Sequence, residues 1–225
     1  MRTSSEFDEM LDRAHTLLLQ MAARVERQID DAAACLGSGS TRLIEQVLEP
    51  ETAINDLERA VDALAVRFIE QRKPAAGELR LLLALLKSTT DLERIGDEAK
   101  KIALVARHIA DAHWPMRPHH PEVARMAQLA LQLVRQATSA LERLDAGELT
   151  EAAARERALD TSLHHVLREL ITHMIEDPRM ISSCLDMVFV AKSLERIGDH
   201  ATNVLEHVVY AAQGHDLRHA PPFSS

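Results

Sequence analysis

LERIGD occupies residues 92–97, and the same six letters return at 194–199, almost half the chain length further on. A hexamer mixing charge, apolar side chains and glycine is not low-complexity sequence, so its return points to duplication of a structural unit. Leu92 and Ile95 are followed at helical spacing by Ala99 and Ile102. Leu194 and Ile197 are likewise followed by Ala201, Val204 and Val208. Both hexamers therefore sit in amphipathic helices with Leu and Ile inward. Glu and Asp, four residues apart, share the opposite polar side.

Working outward from the hexamers, the periodicity predicts six helical segments. The first is marked by Phe7, Leu11, Leu18, Met21, Val25 and Ile29 and ends near GSGS at 37–40. A second runs over 41–72, with Pro50 marking a kink or a break. KPAAG at 73–77 opens the third, which ends near His113. WPMRPHHP at 114–121 carries three prolines and reads as a joint. A fourth segment spans 121–145 and a fifth reaches Glu176. DPRM at 177–180 opens a sixth that fades at Gln213–Gly214. The order predicts two tandem three-helix bundles, residues 1–115 and 116–225, with a disordered tail from about 215.

Composition agrees with an all-α fold. Apolar residues make up 46% of the chain but aromatics only 3%, with 7 Gly and 8 Pro, too few for the turns of a β protein. The formal net charge of -9 argues against binding nucleic acid, which needs a concentrated cationic face. Cys35 and Cys184 lie in apolar helical patterns and read as small buried hydrophobes. The N-terminus has no apolar signal core, and LLLALL at 81–86 is too short to cross a bilayer. A cytoplasmic protein without direct membrane insertion is expected.

The hexamers place Glu93 with Asp97 and Glu195 with Asp199 on one helix face each. Like charges at this spacing destabilise a helix unless a cation lies between them, and hard, oxygen-preferring metals are the obvious cation. ExxxD also occurs at Glu26/Asp30, Glu58/Asp62 and Glu156/Asp160. An isolated pair is most often a solvated face. In the second copy Thr202 and Glu206 extend the stripe with Asn203 beside it, whereas the first copy continues into Lys100 and Lys101. The second copy is therefore the richer in oxygen ligands. Gly96 and Gly198 cost their helices stability and are expected to admit a neighbouring helix or a ligand. Arg94 and Arg196 are expected to pair with nearby acids.

LERIGDEAKKIA and LERIGDHATNVLEHVVY resemble the two signature helices of the PhoU family of phosphate-signalling adaptors. MAARVERQIDDAA, ETAINDLERAVDALAVRFI and THMIEDPRMI extend the resemblance along nearly the whole chain. The resemblance implies two three-helix bundles related by a pseudo-twofold axis. It also implies multinuclear metal sites, each held by E(D)xxxD pairs on adjacent helices. Carried over, one site is Glu156/Asp160 with Glu195/Asp199, and the other is Glu51/Asn55 with Glu93/Asp97. Asn203 and His164 are further candidate ligands, and iron, zinc, manganese or magnesium the candidate ions. No organic cofactor and no catalytic residue is implied. The implied role is to repress the phosphate-starvation response by contacting the ATPase subunit of the phosphate ABC transporter and a phosphate-sensing histidine kinase, as a homodimer. The alternatives are a carboxylate-rich metalloprotein with a storage or catalytic role, and a plain helical scaffold. A carboxylate-bridged di-iron enzyme would need ExxH pairs, and the sequence contains none.

Overall fold

The computed structural model describes residues 3–49, 51–71, 74–112, 121–145, 147 and 149–213, with the side chains of 3–8, 51–53, 71 and 213 excepted. These residues form seven α-helices and no strand: α1 (Thr3–Ser38), α2 (Thr41–Leu48), α3 (Glu51–Gln71), α4 (Ala76–Asp111), α5 (Pro121–Arg143), α6 (Leu149–Glu176) and α7 (Ile181–Gln213). The expected second segment is two helices, one ending at Leu48 and the next starting at Glu51 on either side of Pro50, as suits a residue type that has no N–H to continue the ladder. Residues 114–120 of the proline-rich joint and the tail from 215 lie outside the described residues.

The helix ends follow from local chemistry. Gly39 has φ 60 and its N–H bonds to the Cys35 carbonyl at 2.8 Å, closing α1 with a left-handed cap. Leu144 adopts φ 50 at the end of α5, a conformation that costs a side chain more than glycine. His15 of α1 helps to hold that end, with its Nε2 donating to the Leu141 carbonyl at 2.7 Å. Asp177 accepts from the Arg179 N–H and starts a 3-10 turn, Pro178–Met180, that leads into α7.

Ala14, Leu18, Met21, Val25 and Ile29 of α1 are buried in one core that continues through Leu92 and Ile95 of α4, Leu133 and Val134 of α5, Leu159 of α6 and Leu194 and Ile197 of α7. The hexamer Leu and Ile residues are thus core in both copies, as the phase predicts. A satellite cluster of Ala65, Phe68 and Leu82 closes the far end of α3 and α4. Cys35 and Cys184 are buried free thiols, and burial raises that of Cys35 to about 11.

The most extensive helix pairing joins the two hexamer helices, α4 and α7. They run antiparallel, since His108 near the end of α4 meets Asp186 near the start of α7 at 3.0 Å, while Asp91 meets His200 at 2.8 Å. Asp91 is the hub of this seam. Its Oδ1 accepts from His200 Nδ1 and from Asn203 Nδ2 at 3.3 Å, and its Oδ2 accepts from His207 Nε2 at 2.9 Å. Burial alone would raise the Asp91 pKa, but these three hydrogen bonds outweigh it and hold the carboxyl well below the usual carboxylate range.

The hexamer glycines let other helices close in. A Cβ on Gly198 would collide with Cδ2 of Leu159 from α6 and stand 3.4 Å from Leu133 of α5. On Gly96 it would lie 3.1 Å from Gln28 Oε1 and 3.3 Å from Ile54 Cδ1.

Two outcomes follow. Helix propensity favours Ala over Gly by about 1 kcal/mol, and intrusion onto fully packed Leu159 costs about 1–3 kcal/mol. Gly198→Ala should therefore lower Tm in circular-dichroism melts while Gly96→Ala changes it little. Asp91→Ala leaves two imidazoles facing each other without their acceptor and should cost about 3 kcal/mol in urea unfolding. Because the folded Asp91 pKa is depressed, its stabilisation is present above the unfolded carboxylate value and disappears as pH falls through the folded one.

Candidate functional site

Once the seam fixes α4 and α7, their hexamer carboxylates face sideways, each toward the third helix of its own half. On α7, Glu195 and Asp199 look toward Glu156 and Asp160 of α6. Burial raises Glu156 to about 7, reinforced by the negative charges of Asp199, Asp160 and Glu206 and slightly opposed by the Thr202 hydroxyl. Asp199 is also raised, by burial first and then by Glu195 and Asp160, with His200 and Lys192 opposing. Lys192 pairs with Glu195 at 3.2 Å, but the charges acting most strongly on Glu156 are all negative. The four residues expected at this site are brought together.

Asn203 turns its amide to Asp91 in the seam. His164 lies exposed on α6, one turn beyond Asp160.

The first copy repeats the arrangement and brings in Glu58 of α3. Glu93 is raised by burial and then by Asp97 and Glu58. Glu58 is raised by burial, Asp62 and, after an opposing effect of Arg59, Asp97. The helix facing Glu93 and Asp97 therefore contributes Glu58, with Asp62 one turn further along it and Asn55 one turn earlier. Glu51 stands two turns before Glu58 on the same stripe of α3, and its side chain lies outside the described residues. Glu58 and Asp62 form an intact ExxxD pair, the counterpart of Glu156/Asp160 on α6. That pair was visible in the sequence as one of five ExxxD matches.

Lys100 distinguishes the two clusters. Its Nζ lies 2.8 Å from Asp97 Oδ1 and its side chain is 13% exposed, so the first cluster has a cation built in. The equivalent position in the second copy is Thr202, which brings a hydroxyl and no charge.

The donor chemistry of the second cluster fits a hard divalent ion: up to five carboxylates and a hydroxyl, with no soft ligand. As the side chains stand, no group of three or more His, Cys, Asp or Glu among the described residues is arranged to hold a metal ion. The cluster is an electrostatic well rather than a closed coordination shell.

The family can now be stated. The PhoU domain matches residues 18–106 and again 123–208, so each match contains one hexamer helix. The phosphate-specific transport system accessory protein PhoU homolog of Pseudomonas putida is 40% identical over 216 residues, covering 96% of this chain and 84% of that one. The Escherichia coli K12 protein of the corresponding name is 33% identical over 217 residues, 96% and 89% of the two chains. The crystal structure of PhoU from Pseudomonas aeruginosa superposes with a TM-score of 0.88 at 38% identity, covering 93% of this chain and all of that one. A structure of the Streptococcus pneumoniae regulatory protein PhoU shares the fold, with a TM-score of 0.83 at 22% identity. The chain belongs to the PhoU family.

A pH-dependent outcome tests the second cluster. Glu156 is protonated in the folded chain at pH values where the unfolded chain has already lost that proton. Its raised pKa therefore favours folding at low pH, and the advantage is lost as pH rises from about 4.5 to about 7. In chelator-treated protein, Glu156→Gln should raise Tm by roughly 2–4 °C near pH 8 and leave it unchanged near pH 4.5. An equal gain at both pH values would assign the effect to packing.

Proposed function

We infer that this protein is a regulatory adaptor of phosphate transport that acts through protein contacts rather than catalysis. The observation that carries the reading is family membership spanning both repeats, with relatives named as accessory proteins of the phosphate-specific transport system. In this reading the protein works in the cytoplasm as a homodimer, and each matched segment is one three-helix bundle. It contacts the ATPase subunit of the phosphate ABC transporter and its sensor histidine kinase, and represses the starvation response when phosphate is plentiful. No described helix is long and apolar enough to cross a membrane.

The same reading makes the second cluster a metal site. Glu156, Asp160, Glu195 and Asp199 would hold a hard divalent ion of iron, zinc, manganese or magnesium, whose charge offsets their mutual repulsion. The first cluster, Glu58, Asp62, Glu93 and Asp97, already holds Lys100 and would bind metal more weakly. The support is electrostatic: Glu156 is raised to about 7, and the charges acting most strongly on it are three carboxylates.

Two experiments test this reading. Deleting the gene should derepress a phosphate-starvation reporter in high phosphate, and continued repression would overturn the regulatory role. Protein purified without an affinity tag should carry iron, zinc or manganese by elemental analysis, lost in a Glu195→Ala, Asp199→Ala double variant. Equal metal in variant and wild type, or none in either, leaves the carboxylates as plain helix surface.

A further inference from the structure

The side of the α4–α7 seam that faces away from α1 and α5 is cationic on a chain whose formal net charge is -9. With a helical advance of about 100° per residue, Arg94 and Lys101 fall on one exposed strip of α4, with exposed Leu104 at its edge toward Asp97. Leu185, Phe189 and Arg196 fall on the facing strip of α7. The pairs Arg196–Glu98 and His108–Asp186 cross the seam and bracket Leu104 and Phe189, which keeps the two strips side by side. Phe189 is 61% exposed, with Leu185 and Leu104 also open to solvent.

The positive charge on this face is not cancelled locally. Lys101 and Arg196 share a single carboxylate, Glu98, at 2.8 and 3.5 Å. Arg94 has no acidic partner among the described residues. The acids nearest the strips are already engaged, Asp97 by Lys100 and Asp91 by two histidines. An exposed aromatic flanked by surplus cations is the arrangement that anchors an amphipathic acidic segment, with its apolar stripe on the ring and its carboxylates on the flanks.

We propose that the outward face of the α4–α7 seam docks an acidic amphipathic helix of a partner protein, anchored on Phe189, Leu185 and Leu104 and oriented by Arg94, Lys101 and Arg196. The proposal rests on the adaptor reading and gives it a surface. A single helix matches the width of the seam, since packed helices lie about 8–10 Å apart. An anionic bilayer has the same charge but the wrong extent. A plane of headgroups laid on the strips also meets Glu93 and Asp97 on one edge and Glu195 and Asp199 on the other.

Fluorescence anisotropy with purified full-length protein tests the proposal. The probe is a labelled synthetic helix in which glutamates flank a leucine stripe, compared with its counterpart carrying lysine for glutamate. Vesicles of phosphatidylglycerol supply the membrane arm by co-sedimentation. The glutamate peptide should bind and the lysine peptide should not. Arg94→Glu and Phe189→Ala should each weaken binding at least about tenfold, with unchanged thermal melts because both side chains are exposed. Arg42→Glu makes the same charge change on α2 and should have no effect. Equal binding of both peptides, equal loss with Arg42→Glu, or binding of the vesicles in place of the peptide each overturns the proposal. A chain that represses the phosphate reporter but shows no selective peptide binding sinks the docking face and leaves the adaptor reading standing.

Discussion

The structure depends on one half-buried carboxylate at the α4–α7 seam. Asp91 takes hydrogen bonds from three side chains of α7 and ties together the two helices that carry the hexamers. An ion buried this far is costly on its own and stable only while its partners are in place, so it fixes the register of the seam as well as its strength. The duplicated helices have diverged to make this possible. Glu98 and His200 occupy equivalent positions in the two copies, yet α4 supplies an acid there and α7 a base. Asp91 has Ser193 as its counterpart. Two identical helices would have set like against like across a pseudo-twofold axis, and these set acid against base.

The rest of each hexamer is divided by this seam. Leu and Ile turn to the core, Arg turns to the outward face, and Glu and Asp turn to the flank. No letter is left without a direction. The flanks then differ for a reason that lies outside the hexamer, because Lys100 partly offsets the charge of one cluster where Thr202 brings none to the other, whose Glu156 rises to about 7. Duplication produced two acidic flanks, and a substitution one turn further along settled how much of the charge each retains.

Most of the fold was legible, because helix phase depends only on residues within one helix. The buried stripe of α7 and the turn at GSGS both follow from local sequence. Pro50 was ambiguous between kink and break, and a proline followed by a strong helix former gives no local reason to prefer either. What could not be read were pairings between helices. Glu58 and Glu51 share one stripe of α3, and only the packing of α3 on α4 brings Glu58 to Glu93. Asn203 extends the carboxylate stripe by phase, but the seam offers it Asp91, an acceptor from another helix that phase cannot see. The expectation that both hexamer arginines pair with acids was half right: Arg196 reaches Glu98, and Arg94 reaches none among the described residues.

The glycine is why the hexamer can be a packing unit and a charged site together. Gly198 lets Leu159 press against the α7 backbone, and Glu156 stands one turn before Leu159 on the same helix. Bringing α6 that close therefore brings Glu156 within reach of Asp199, the residue next to the glycine. In the first copy Gly96 admits Ile54, and Glu58 lies one turn beyond it on α3, beside Glu93 and Asp97. In each half the missing side chain sets the spacing between helices, and that spacing sets how strongly their carboxylates repel. A larger residue at Gly198 would push α6 away from α7 and relax the charge cluster with it. Core packing and the raised carboxylates are thus two effects of one close approach, which accounts for Gly and Asp standing side by side in both copies.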